Sequence, residues 1–126
     1  MRQLLDTHTL IWFVMGDPRI NLSLRSQIEN NDNLLSIASV WEMAIKYSIG
    51  KLTLAPSFNE FIEQQIITNG IELMPITLEH IAVITTLPLH HRDPFDRMLI
   101  AQAIVENIPI LSADQIFDAY PIKRLW

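Results

Sequence analysis

Residues 91–103, His-Arg-Asp-Pro-Phe-Asp-Arg-Met-Leu-Ile-Ala-Gln-Ala, place two carboxylates, Asp93 and Asp96, at the mouth of a strongly apolar segment. A proline at the first helical position with an acid before it marks a helix start, because proline lacks only an amide hydrogen that would be orphaned there anyway. Behind it Met98, Leu99, Ile100, Ala101, Ala103, Ile104 and Val105 are apolar nearly all round. That pattern predicts a helix buried against a sheet, with Asp96 carried towards the interior. A buried acid requires a partner or a function, since an unpaired charge out of water is costly.

Three further acids stand at comparable places. Asp6 follows Leu4-Leu5 directly, and Asp114 lies just past the apolar run Ile108 to Leu111, so both project from the carboxyl ends of expected strands. Glu42 sits in Ala38-Ser39-Val40-Trp41-Glu42-Met43-Ala44-Ile45, where Ala38, Ile45 and Ile49 fall on its own helical face, which predicts an inward carboxylate. Four acids on one rim repel unless they are protonated or share a cation. With no cysteine in the chain, the available chemistry is that of carboxylates, imidazoles and hydroxyls. Such a pocket suits Mg²⁺ or Mn²⁺ and fits zinc poorly. Hard cations of this kind activate water and neutralise charge developing on a phosphodiester, so nuclease chemistry follows.

The elements that must position these acids are legible in outline. A first strand at Leu4-Leu5 leads into a helix from Thr7 to Val14, ended by Gly16-Asp17-Pro18. A helix over Ser23 to Asn30, a strand over Asn33 to Ile37, a helix over Ser39 to Ile49 and another over Ser57 to Asn69 follow. Ile71 to Ile76 reads as a strand, and Thr77 opens a helix with Pro88 beyond its end. After the helix at Pro94 come a strand over Ile108 to Leu111, a helical turn from Asp114 to Tyr120 and an edge strand over Ile122 to Trp126. Short apolar strands alternating with helices predict a mainly parallel sheet covered on both faces, a three-layer α/β/α sandwich in a single domain spanning 1–126. In such sheets ligands bind at the carboxyl ends of the strands.

Composition narrows the classes. With 126 residues, 49% hydrophobic and 18% charged, the chain can bury one sizeable core. No apolar run reaches the roughly eighteen residues of a membrane span, and the first residues meet an acid too soon for a signal peptide, so a cytoplasmic protein is expected. A net charge of −5 argues against binding nucleic acid through a broad basic surface, yet carboxylates that hold a cation contribute to that count.

Leu4-Leu5-Asp6-Thr7-His8, Ala38-Ser39-Val40-Trp41-Glu42-Met43-Ala44, Arg92-Asp93-Pro94-Phe95-Asp96-Arg97 and Ser112-Ala113-Asp114 resemble the motifs of PIN-domain ribonucleases, and in particular the VapC-type toxins. The motifs occur in family order and span nearly the whole chain. The resemblance implies a PIN-like fold in which Asp6, Glu42, Asp96 and Asp114 are the acidic catalytic and metal-binding positions. It also implies a Mg²⁺- or Mn²⁺-dependent endoribonuclease acting on RNA, dimeric as a homodimer, and neutralised by a cognate antitoxin.

Each residue has a plainer reading. Asp93, just before Pro94, is placed to cap the helix by accepting from the amide of Asp96. Asp96 could serve the helix dipole, an effect of about 0.3–1 kcal/mol. Glu42 has Lys46 four residues on, an ion pair of roughly 0.2–0.5 kcal/mol. Asp114 could cap the following turn, with Asp118 its competitor. His8, His90 and His91 are assigned no catalysis. Arg92 and Arg97 could hold RNA phosphates, or Arg97 could pair with Asp93. Thr7, Ser39 and Ser112 adjoin the acids and either orient carboxylates or cap helices, while Trp12, Trp41 and Phe95 read as core or interface residues. Among rival classes, a phosphoacceptor receiver domain needs an acid pair near strand one and an Asp after the middle strand, which runs Leu73-Met74-Pro75-Ile76. Haloacid-type phosphatases need an acid where His8 stands. A non-catalytic interaction module on the same fold is the remaining alternative.

Overall fold

Leucines alternating along the first two strands decide the layers. In the computed structural model, which describes residues 1–126, β1 (Arg2–Leu5) lies parallel to β2 (Asp32–Ser36), with Leu4 opposite Leu34 and Leu5 opposite Leu35. On its other edge β1 pairs with β4 (Ile110–Leu111), placing Ile110 beside Leu4 and Leu111 beside Leu5. Because strand side chains alternate between faces, Leu5, Leu35 and Leu111 enter one core and Leu4, Leu34 and Ile110 the other. Leu4 and Leu5 are both fully buried, each a contribution of about 1.5–3 kcal/mol.

The Leu5 face is covered by Leu10 of α1 (Thr7–Met15), Leu24 and Ile28 of α2 (Leu22–Glu29), and Met43 of α3 (Ile37–Ser48). Phe61 and Ile66 complete it. The Leu4 face takes Leu99 and Ile100 of α6 (Pro94–Glu106) together with Phe117 and Tyr120, and α5 (Leu78–Ile84) packs on α6. With β3 (Glu72–Met74) and β5 (Arg124–Leu125), the sheet runs in the order β3-β2-β1-β4-β5 and every pairing is parallel. The three-layer expectation is therefore met. The chain steps outward from β1 through β2 to β3, then crosses back to β4 on the opposite side of β1. Its connections diverge between the carboxyl ends of β1 and β4, the place where such sheets bind ligands.

Several boundaries differ from the sequence reading for identifiable reasons. The third helix starts at Ile37 because Ser36, not Ser39, caps it, its hydroxyl accepting from the Ala38 amide at 3.0 Å. The segment expected as one helix over Ser57 to Asn69 is a short α4 (Phe58–Phe61) continued by a π-helical stretch (Ile62–Ile67). There, bonds to the fifth preceding residue bring side chains five apart towards one face, and Phe61 and Ile66 are both buried. Proline shortens the expected strands β3 and β4: Pro75 and Pro109 have no amide hydrogen for a ladder. No helix is long and apolar enough to cross a membrane.

Candidate metal and active site at the carboxyl ends of β1 and β4

Asp6 is the first residue after β1 and the N-cap of α1, which explains its buried position. Its Oδ1 accepts the Thr9 amide at 2.8 Å, and its Oδ2 accepts from the Ser112 hydroxyl, the first side chain after β4. Ser112 in turn accepts the Asp114 amide at 3.0 Å, tying the two strand ends together. Burial pushes the Asp6 carboxyl above its ordinary value, while the bonds from Ser112 and Thr9 pull it back.

Glu42 is buried on the inner side of α3. Its Oε1 accepts from the Thr7 hydroxyl at 2.8 Å and its Oε2 from Lys46 Nζ at 3.0 Å. The Thr7 and Ser39 hydroxyls lie 2.9 Å apart. An ionised carboxylate only accepts, so the single Thr7 proton goes to Glu42 and Ser39 supplies its own to Thr7. The inward carboxylate expected from the sequence is present, but the stripe behind the expectation is not. Ile45 and Ile49 are 39% and 59% exposed, because the helix seats Ala38, Ser39, Glu42 and Met43 on the core and Ile49 lies at the cap.

Asp93 caps α6, its Oδ1 accepting the amides of Phe95 at 2.8 Å and Asp96 at 3.0 Å. Asp96 is thereby fixed in the first turn, half-buried, with its carboxyl pushed up to about 7. Burial is the largest cause, followed by the negative charge of Asp93; Asp6 and Glu42 push the same way and His91 opposes them. Asp114 caps the 3₁₀ turn Gln115–Ala119 through Oδ1, which accepts the Ile116 amide at 3.0 Å. Its Oδ2 meets His91 Nε2 at 2.8 Å, and the same nitrogen lies 3.2 Å from Asp96 Oδ2.

All four acids thus gather at one end of the sheet, Asp96 and Asp114 across a shared imidazole and Asp6 and Glu42 near enough for their charges to act on Asp96. Asp118, the competitor of Asp114, is instead held by Arg124 at 2.9 and 3.1 Å. Neither reading of Arg97 holds: its guanidinium binds the carbonyls of Leu87, Pro88 and His91. Of the hydroxyls, Thr7 and Ser112 orient carboxylates rather than cap helices. Trp41, read as a core or interface residue, is 60% exposed at the rim and stacks edge-on against Phe95 at 5.2 Å. His91, to which the sequence gives no chemical part, is the buried centre of the acid group; its place in a loop before an N-cap aspartate is the one local sign of it.

The donor set fits a hard cation. Asp6, Glu42 and Asp114 have both carboxylate oxygens engaged by donors, whereas Asp96 meets only His91, at Oδ2, and keeps the other oxygen free of protein partners. A carboxyl left this bare among like charges takes a proton or a metal. His91, Asp96 and Asp114 are also the one group of side chains spaced to share an ion. A cleft of about 560 Å³ lies at the amino ends of the strands, lined by Arg2, Asp32 and Glu72, and holds none of these residues.

Fold and site together define a parallel α/β domain that collects carboxylates at its topological switch point. A model of the PIN domain family matches residues 4–123, and the chain belongs to that family, whose members are generally nucleases. Among curated proteins none matches the sequence. Solved structures do. A chain of VapBC2 from Rickettsia felis, bound to a DNA fragment from its promoter, is 14% identical over 99% of this chain and 98% of its own, with a TM-score of 0.75. DNA-bound VapBC from Salmonella typhimurium gives 18% identity, 99% and 97% coverage and a TM-score of 0.74. FitAcB from Neisseria gonorrhoeae gives 19%, 98% and 96%, and 0.71. At these identities the likeness shows the fold.

Proposed function

We propose that this chain is a metal-dependent endoribonuclease and the toxin of a toxin–antitoxin pair. The observation that carries the reading is the convergence of Asp6, Glu42, Asp96 and Asp114 around a carboxyl whose own affinity for a proton is raised to about 7. Those four residues would hold Mg²⁺ or Mn²⁺. When bound, such an ion neutralises charge developing on a phosphodiester and makes water a better nucleophile. The chain does the positioning. Ser112 and the Thr9 amide lock Asp6; Thr7 and Lys46 lock Glu42; Asp114 is locked by the Ile116 amide and His91. Asp96 would release its proton to solvent on taking up the ion, and because the attacking group would be water, no protein nucleophile is required. The complexes whose fold this chain shares support a cognate antitoxin as partner, and the family resemblance supports a homodimer.

Purified protein incubated with RNA should cleave it in Mn²⁺, stop when EDTA is added, and be inactive as Asp6→Asn. That variant keeps an acceptor for the Thr9 amide and therefore the helix cap. Cleavage that persists in EDTA or in the variant would reject the reading.

A further inference from the structure

The loop from Leu87 to Asp93 is tied down by hydrogen bonds to its backbone and, at one point, to the His91 ring. Arg97 reaches back from α6 to the carbonyls of Leu87, Pro88 and His91, each at 3.1 Å. The Tyr120 hydroxyl donates to the Pro88 carbonyl at 2.7 Å and accepts the His91 amide at 2.7 Å. Phe117 lies against the ring, with centroids 5.5 Å apart. Finally the Asp93 amide donates to His91 Nδ1 at 3.2 Å.

That last bond decides what the ring can do. A ring nitrogen that accepts an amide hydrogen carries no proton, so the neutral imidazole has its proton on Nε2. Nε2 therefore meets Asp114 at 2.8 Å and Asp96 at 3.2 Å as a donor. Direct ligation of a metal would need a bare Nε2. The proton would then have to move to Nδ1, setting two donors against each other at the Asp93 amide. A doubly protonated ring meets the same conflict. The group His91, Asp96 and Asp114 has the spacing of a three-ligand metal site, but one of the three has the wrong end of a bond to offer.

We propose that His91 is a positioning donor and not a metal ligand: its Nε2–H fixes Asp114 and stands against Asp96, holding the two carboxylates towards one cation while keeping its own proton. This rests on the metal-site reading above. Asp93 then serves twice, its carboxylate starting the helix that carries Asp96 and its amide fixing the tautomer of the ring that faces it. Partners of this kind, acting behind the ligands, are worth about ten- to a hundredfold in metal affinity.

The test is a Mg²⁺ titration followed by NMR, with His91→Ala and His91→Gln beside the wild type; glutamine sets an amide donor near the position of Nε2. The wild-type ring should show the Nε2–H form both without Mg²⁺ and at saturation. Mg²⁺ affinity should fall about ten- to a hundredfold in His91→Ala and be largely recovered in His91→Gln. Loss of the Nε2 proton on Mg²⁺ binding, or a glutamine variant no better than alanine, would overturn the proposal. The metal-free protein supplies a separate readout: His91→Ala must shift the Asp114 carboxyl carbon and His91→Gln must restore it, and an unmoved carbon overturns the positioning role. If Asp96 and Asp114 ignore Mg²⁺ in the wild type, the metal-site reading fails instead.

Discussion

Two histidines in this molecule are wired almost alike. His80 takes the Thr77 amide on Nδ1 at 3.1 Å and meets Glu106 through Nε2 at 2.9 Å; His91 takes the Asp93 amide on Nδ1 at 3.2 Å and meets Asp114 through Nε2 at 2.8 Å. Both rings are buried. The difference lies in what surrounds the acid. Glu106 stands at the end of α6 with no carboxylate cluster about it, so His80 completes the capping box of α5 and pins that helix to α6. Asp114 sits at the switch point with Asp96 on the same imidazole and two further acids close by. Nearly the same local bond pattern is thus a fastening in one place and, on the proposal above, would aim ligands in the other; its surroundings set the role.

Breaking the two sites in parallel should separate those roles. The largest effect belongs to Asp96→Asn, which should lower metal-dependent RNA cleavage by about a thousandfold, several kcal/mol of transition-state stabilisation, while Glu106→Gln leaves turnover unchanged in the same assay. Next, His80→Ala should cost about 1–3 kcal/mol in denaturant melts through its lost cap and its lost hydrogen bond to Glu106, and Mg²⁺ affinity should stay at the wild-type value. His91→Ala should do the reverse in the binding assay, as set out above.

A pH series sharpens the contrast further. The Asp96 carboxyl ionises at about 7 in the folded protein against an ordinary 3.8. Between those values the folded state holds a proton that the unfolded chain has released. Its contribution to stability is therefore greatest near pH 4, falls as the pH rises to about 7, and is level beyond. Metal-free melting temperatures should show that fall, Asp96→Asn should lessen it to the part that Asp6, also raised by burial, contributes, and saturating Mg²⁺ should remove it. The smallest effect is expected at Glu29→Gln on α2: its solvent-facing i,i+4 pair with Arg25 at 3.5 Å is worth less than about 1 kcal/mol in a thermal melt.

Much of this arrangement was legible in the residues. The helix start at Pro94, the Asp93 cap and the carboxyl-edge placement of Asp6 and Asp114 depend on local rules of proline, capping and strand alternation, and local rules survive folding. The inward turn of Glu42 was readable although the stripe used to infer it was partly exposed, since Ala38 and Met43 set the buried side. Less local features were hidden. The π-helical stretch answers to the packing of Phe61 and Ile66, which no period of 3.6 announces. His91 gains its role from Tyr120, twenty-nine residues on, and Asp114, twenty-three on; nothing between them in sequence marks either contact. Arg97, which looked like a phosphate or carboxylate partner, is spent on loop carbonyls for the same reason.

One measurement bears most directly on the central claim that these four acids converge to hold a divalent cation. Crystals of the protein soaked in Mn²⁺ should show a single cluster of anomalous density among Asp6, Glu42, Asp96 and Asp114, bonded to Asp96 and not to His91 Nε2. Density absent from this rim, or bonded directly to the imidazole, would contradict the account.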